Sequence, residues 1–168
     1  INVLANIVEK ESELIILDKP VSKVEIAIAF QKGNDKLLSE INRVLNQFKN
    51  DGTLENMKQK WIDVKYQTVP SLPVIQQKTD CVLKMGTCAK AEPQSFIYNN
   101  IITGYDIELA LRLGENLGKK IEIIDMNFES LIPALQSGKI DFALSNFNVT
   151  EERKKFVNFS QAYLTNDI

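Results

Sequence analysis

Thr150 and Arg153 stand three residues apart in the run D-F-A-L-S-N-F-N-V-T-E-E-R-K-K-F-V-N-F-S, residues 141–160, and that spacing can hold a carboxylate. An apolar strand pattern at Ile140, Phe142 and Leu144 runs into the short polar residues Ser145, Asn146 and Asn148. Thr150 then suits the N-cap of a helix whose first turn carries Glu151, Glu152 and Arg153. Free backbone N–H groups at such a terminus attract anions, and an arginine in the same turn adds a two-pronged grip on a carboxylate. The chemistry this offers is binding.

Catalysis is poorly served by the same residues. Glu151 and Glu152 are adjacent, so on a helix they do not face each other, and the helix dipole explains two acids in a first turn. Asp106 and Glu108, in G-Y-D-I-E-L-A, read likewise as helix-start acids. The chain has no histidine, which removes the usual general base and the commonest metal ligand. No G-x-G-x-x-G or G-x-x-x-x-G-K-[ST] loop is present to cradle phosphates. No cofactor and no metal are implied. Cys81 and Cys88 are too few for a metal cage. On the strand expected there they lie roughly 23 Å apart, beyond the ~7 Å limit for a disulfide, so they are expected to be free thiols serving as small buried hydrophobes.

The elements that must position these residues follow from periodicity. Strands are expected over 82–86, 121–125 and 140–144, with helices over 105–117, closed by Gly118, and 128–136, stopped by Gly138. Alternating strands and helices of this length argue for an α/β fold with a mostly parallel sheet covered on both faces, whose ligands sit beyond the carboxyl ends of strands. Ser145 and Asn146 lie at such an end. Upstream, 24–30 alternates as a strand, and Asn34-Asp35 is placed to cap a helix with Leu37, Leu38, Ile41, Val44, Leu45 and Phe48 on one face. Asp51-Gly52 stops it, and Thr53 is expected to cap a short helix striped by Leu54, Met57 and Trp61, the last as a core anchor. Residues 3–10 read as a helix, 14–17 as a strand, and 63–80, with Pro70 and Pro73, as linker.

Composition sets the remaining bounds. In 168 residues, 44% hydrophobic content is that of a globular core, and a net charge of -2 with both signs interspersed gives no footprint for nucleic acid. No apolar run approaches the ~18 residues that span a bilayer, and no charged-then-apolar leader precedes Ile1.

Residues 103–165 carry G-Y-D-I-E-L-A, L-I-P-A-L-Q-S-G-K-I-D, T-E-E-R and F-S-x-x-Y in one unbroken register, and in this they resemble the family 3 extracellular solute-binding proteins, the amino-acid receptors of bacterial ABC importers. Residues 24–61 resemble the carboxyl-terminal end of the same family, with its returning hinge strand, N-D-G turn and final K-W helix. The ending precedes the beginning. The resemblance therefore implies tandem domains: 1–62 the tail of an upstream solute-binding domain, 63–80 an interdomain linker, and 81–168 the first lobe segment of the next. The expected fold is periplasmic-binding-protein-like type II, essentially one lobe, assembled in circularly permuted order. Residues 24–62 should pack against 81–159 in one sheet, within a chain or by exchange between two chains as a swapped homodimer.

For the site, the resemblance implies that Arg153 holds an amino acid's α-carboxylate, with contacts from Asn146 and Asn148, and that the Ser145 carbonyl helps hold the α-ammonium. Phe96 matches the aromatic of the family's proline-phenylalanine loop, and Cys88 a position commonly acidic or polar. The sequence departs from the family at Asn146, Asn148 and Cys88, and it lacks the aromatic usually preceding Phe96. The implied ligand is a polar amino acid, the partner an ABC permease subunit or fused transmembrane domain, and the location extracytoplasmic, tethered or fused to the membrane. The alternatives left open are a tandem sensing domain of a membrane histidine kinase, a degenerate non-binding repeat and a dehydratase on the same fold.

Overall fold

The computed structural model describes residues 23–63, 68–75 and 81–167. The helix expected over 3–10 and the strand over 14–17 lie outside the described residues, as do parts of the expected linker. At its centre is a five-stranded sheet in the order β7, β3, β8, β2, β9, formed by Lys120–Asp125, Val82–Thr87, Phe142–Ala143, Ala29–Gln31 and Val157–Phe159. β3 runs parallel to β7 and β8, while β2 is antiparallel to β8 and β9, so four strands share one direction and β2 opposes them. The sheet is mixed and mostly parallel in sense. Strand β2, from the upstream part of the chain, lies between two downstream strands, which is the permuted single lobe expected from the sequence.

Alternation along the strands decides which helix covers which face. Ile28, Phe30, Met85 and Phe142 join one buried cluster with Ile41, Leu45 and Phe48 of α1, Asp35–Asn50, Met57 of α2, Thr53–Lys58, and Ile107 and Leu113 of α3, Tyr105–Leu117. Ala29 and Ala143 point the other way, to Leu131, Ala134 and Leu135 of α4, Phe128–Gln136. The Phe30 and Phe142 rings stack 6.3 Å apart across the junction of upstream and downstream segments.

The strand expected over 24–30 is two strands, β1 Lys23–Ile26 and β2, because the chain changes partners at Ala27 and Ile28. β1 pairs with β10, Leu164–Asp167, and between the strands the Ile28 N–H donates to Ser160 Oγ at 3.0 Å. Two caps also differ. Asn34 makes no side-chain cap bond, and Gly52, left-handed at φ 81°, is the N-cap of α2, with Thr53 its first residue donating to Asp51 Oδ1 at 2.9 Å. A turn of π-helix, Gln59–Asp63, follows and buries Trp61. Cys81 is exposed because it precedes the first paired residue of β3, which corrects the buried expectation, and Cys88 is half-buried; both thiols are free. The hairpin sheet β4 Lys90–Ala91, β5 Ser95–Tyr98 and β6 Ile101–Thr103 was not expected.

Candidate functional site

The carboxyl ends of three parallel strands meet in a sewn edge. Asp125, ending β7, accepts the Ala89 N–H at 2.9 Å, and Ser145, just past β8, accepts the Cys88 N–H on its Oγ at 3.1 Å. Cys88 and Ser145 are thus brought together, Cys88 through its backbone. The loop that leaves β8 must pass β2 to reach β9, and it runs beside residues 25–27, just before β2.

That loop is held by the upstream segment. Ala27 N–H donates to the Phe147 carbonyl at 3.1 Å, Val149 N–H to the Glu25 carbonyl at 3.0 Å, and Ile26 bridges Asn148. Its turn needs Asn146 at φ 51°, a left-handed conformation asparagine tolerates better than most residues. Phe147 is fully buried and tilts against Phe128, the first residue of α4, with 4.7 Å between ring centroids.

Arg153 is set by this framework. Thr150 Oγ1 accepts the Arg153 backbone N–H at 3.2 Å, the capping expected, and opens α5, Glu151–Lys154. A single turn sums few peptide dipoles, so the anion attraction of a helix terminus is smaller here than the sequence suggested. The guanidinium carries the case. Its carbon lies 5.2 Å from the Phe128 ring and 5.5 Å from the Phe147 ring, and Nη1 donates to the Asn148 carbonyl at 2.9 Å. Neither Glu151, which pairs with Lys154 at 2.7 Å, nor Asp106 engages it. Among the described residues no carboxylate pairs with Arg153, which leaves N–H groups for an anion from outside.

Phe96 is not part of this group. It is buried on the α3 face of the lobe and meets Trp61 edge-on at 6.5 Å, so its place is in the core and not beside Arg153. Ser95 and Phe96, at the start of β5, are buried against the lobe, while Ile97 and Tyr98, toward the tip of the hairpin, are exposed. A half-open cavity of about 360 Å³ lined by Lys49, Leu54, Lys58, Tyr105 and Tyr163 includes none of residues 145–153.

Sequence reasoning missed two buried acids. The side chain of Glu108 is wholly buried and accepts from Lys60 at 2.6 Å, Trp61 Nε1 at 2.8 Å and Arg112 Nη2 at 2.7 Å. Burial pushes its carboxyl up, but those three partners outweigh it and hold it below its ordinary value. Asp106 is also fully buried, and it touches the site loop: Oδ2 accepts the Asn146 backbone N–H at 2.9 Å. The signal in the sequence was two acids spaced inside the apolar run Y-D-I-E-L-A, where the first turn of α3 is buried all round.

A family model described as bacterial extracellular solute-binding proteins, family 3, matches residues 4–64 and 83–168. The arginine-binding extracellular protein ArtP of Bacillus subtilis is 46% identical over 83 residues, which cover 49% of this chain and 32% of that protein. A probable histidine-binding protein of Campylobacter jejuni is 36% identical over 88 residues, 52% of this chain and 34% of that protein. Among solved structures, an ancestral arginine-binding protein bound to glutamine is 44% identical, covering 51% of this chain and 39% of that one, with a TM-score of 0.49. The chain spans about a third of the length of these curated relatives.

Proposed function

The chain belongs to the bacterial extracellular solute-binding proteins, family 3, and on that premise we propose that it supplies one lobe of an amino-acid receptor serving an ABC-type importer. The observation that carries the reading is Arg153, set against two aromatic rings beside the Asn148 carbonyl, with no carboxylate paired to it among the described residues. In this reading the α-carboxylate of a polar amino acid takes the open N–H groups, Asn146, Asn148 and Ser145 line the same edge, and Cys88 contributes its backbone. The role is non-catalytic capture, completed when a second lobe closes over the ligand.

The two-block family match, with a gap between 64 and 83, supports the tandem arrangement of 1–62, 63–80 and 81–168. Closure of β2 between β8 and β9 is the arrangement a lobe completed within one chain requires. The family's extracellular character supports a place outside the cytoplasm, where tethering or fusion to a permease would deliver the ligand.

Calorimetry with arginine, histidine and glutamine tests the reading, on this chain and on the two-lobed parent. One lobe offers half the walls of a cleft that normally buries most of its ligand, so the chain alone should bind weakly and the parent tightly. Arg153→Ala should abolish tight binding in the parent while its thermal unfolding stays cooperative. Unchanged affinity would remove Arg153 from the site and overturn the reading.

A further inference from the structure

Asp106 is the second residue of α3 and has no exposed surface. Its Oδ2 accepts the backbone N–H of Asn146 at 2.9 Å, and its Oδ1 accepts the Tyr163 hydroxyl at 2.8 Å. Tyr163 stacks on Tyr105 at 5.9 Å and immediately precedes β10, where its own N–H donates to the Ile26 carbonyl at 3.0 Å. The Asn146 side chain in turn lies 3.5 Å from Asn166 Nδ2 on β10. One buried carboxylate therefore joins the loop that seats Arg153 to the start of the strand pair β1–β10.

Burying a carboxylate is costly, and among the described residues no lysine or arginine pairs with Asp106 to offset it. The charged and titratable groups around it are Tyr163 from the segment before β10, and Tyr105 and Glu108 on α3 itself, of which Glu108 is taken up by Lys60, Trp61 and Arg112. For packing alone an apolar residue would serve. What the carboxylate adds is two directed acceptors, one for the inward N–H of a left-handed residue and one for a phenol.

We propose that Asp106 is a positioning residue for the amino-acid site: it acts through Asn146 to set the loop from Ser145 to Asn148, and through Tyr163 it ties that setting to β10. The proposal rests on the binding role given above and adds its regulation. Burial pushes the Asp106 carboxyl up to about 7, against the downward pull of the Tyr163 and Asn146 hydrogen bonds, so the acceptor for the loop changes across neutrality. Tyr163 remains a phenol throughout, since burial and the neighbouring carboxylate push it well above its ordinary value. Acidification converts one acceptor oxygen to a hydroxyl and weakens the hold on Asn146, so affinity falls as pH drops below about 7.

Nitrogen-15 NMR of this chain, following the Asn146 amide through a pH series, tests the linkage without ligand. The amide proton should move upfield on acidification with a midpoint near 7. Tyr163→Phe removes a hydrogen bond to the charged form and should raise that midpoint. Asp106→Asn keeps an oxygen for the Asn146 N–H and offers its amide to the Tyr163 oxygen, so the loop should hold while the titration disappears. Asp106→Ala should release the loop and speed exchange of the Asn146 amide about tenfold or more. An Asn146 amide that does not respond to pH, or responds equally in Asp106→Asn, overturns the proposal even where Asp106→Ala does not fold. In the parent, wild type should lose affinity on acidification and Asp106→Asn should not; absence of any binding there would refute the receptor reading and leave the ligand-free result standing.

Discussion

The indole N–H of Trp61 donates to Glu108 Oε2 at 2.8 Å, across 47 residues and inside the core. That bond joins the end of the upstream segment to the first turn of α3, and Lys60 and Arg112 complete the shell around the same carboxylate. The upstream and downstream parts are thus held by a charged centre as well as by a shared sheet.

Glu108→Ala should destabilise the lobe by about 3 kcal/mol, because it removes the buried acceptor of the Trp61 N–H and the shared anion of two cations that are only partly exposed. Glu108→Gln should cost less, about 1 to 2 kcal/mol, since an acceptor remains. Urea unfolding measures both. Equal stability in wild type and Glu108→Ala would mean that the sheet alone holds the two parts together.

Arg153→Lys should recover little of the affinity lost in Arg153→Ala, since an ammonium cannot lie against the two rings and still offer a planar fork. Phe128→Leu removes one of those rings and should weaken binding by about 1 kcal/mol, near fivefold, with the arginine intact. Titration calorimetry on the two-lobed parent reads both. A lysine variant with wild-type affinity would reduce the site to simple charge.

Stability should depend on pH in opposite senses at the two buried acids. The Asp106 carboxyl rises from its ordinary 3.8 to about 7 on folding, so the folded state keeps a proton that the unfolded state releases between those values. Stability is highest at the acid end of that window and declines as pH rises through it, with a slope of up to about 1.4 kcal/mol per pH unit, then levels off. Glu108 is depressed, so its contribution is present above the unfolded value and is lost as pH falls through the folded one. Together they place a stability maximum in mild acid. Thermal melts across pH should show the decline in wild type and a flat line over the same range in Asp106→Asn.

Gly104 sits at φ 125° with its Cα against the hairpin, and a Cβ there would lie 2.4 Å from the Gln94 carbonyl oxygen. Gln94 and Pro93 carbonyls accept the Asp106 and Tyr105 N–H groups at 2.9 and 3.0 Å, so the contact that glycine permits is the one that starts α3. Gly104→Ala should cost about 3 kcal/mol from strain and overlap together. Differential scanning calorimetry is the check, and a variant within a few tenths of a kcal/mol of wild type would mean that the hairpin yields freely.

What could be read from the sequence was set by local signals. α3 and α4 occupy 105–117 and 128–136 as expected, because apolar spacing and a left-handed Gly118 fix such ends without reference to the rest of the chain. The Arg153 loop was legible through its cap and its register with a known family. The division of 24–30 into two strands was not, since it depends on which partners lie on either side. Nor was the Asn99-Asn100 hairpin, although two asparagines at φ 48° and 61° between β5 and β6 are the residues such a tight turn takes. Burial of Asp106 and Glu108 showed only in the apolar run Y-D-I-E-L-A around them, because every partner that justifies it, apart from Arg112, lies elsewhere in the sequence. Phe96 was misplaced for a related reason: its partner Trp61 lies far away in the sequence, and the unforeseen hairpin brings the two together in the core.

The β1–β10 ribbon pairs Lys23 with Asp167 at one end and Ile26 with Leu164 at the other, so the chain comes in and goes out at the same rung. A tension applied across those two positions loads the hydrogen bonds one after another, as in a zipper, and not all at once in shear. In a force-clamp recording the ribbon should therefore peel at low load before the five-stranded sheet gives way. A protein that must swing a second body about this ribbon gains from such a joint: it yields in small steps while the lobe it belongs to keeps its shape.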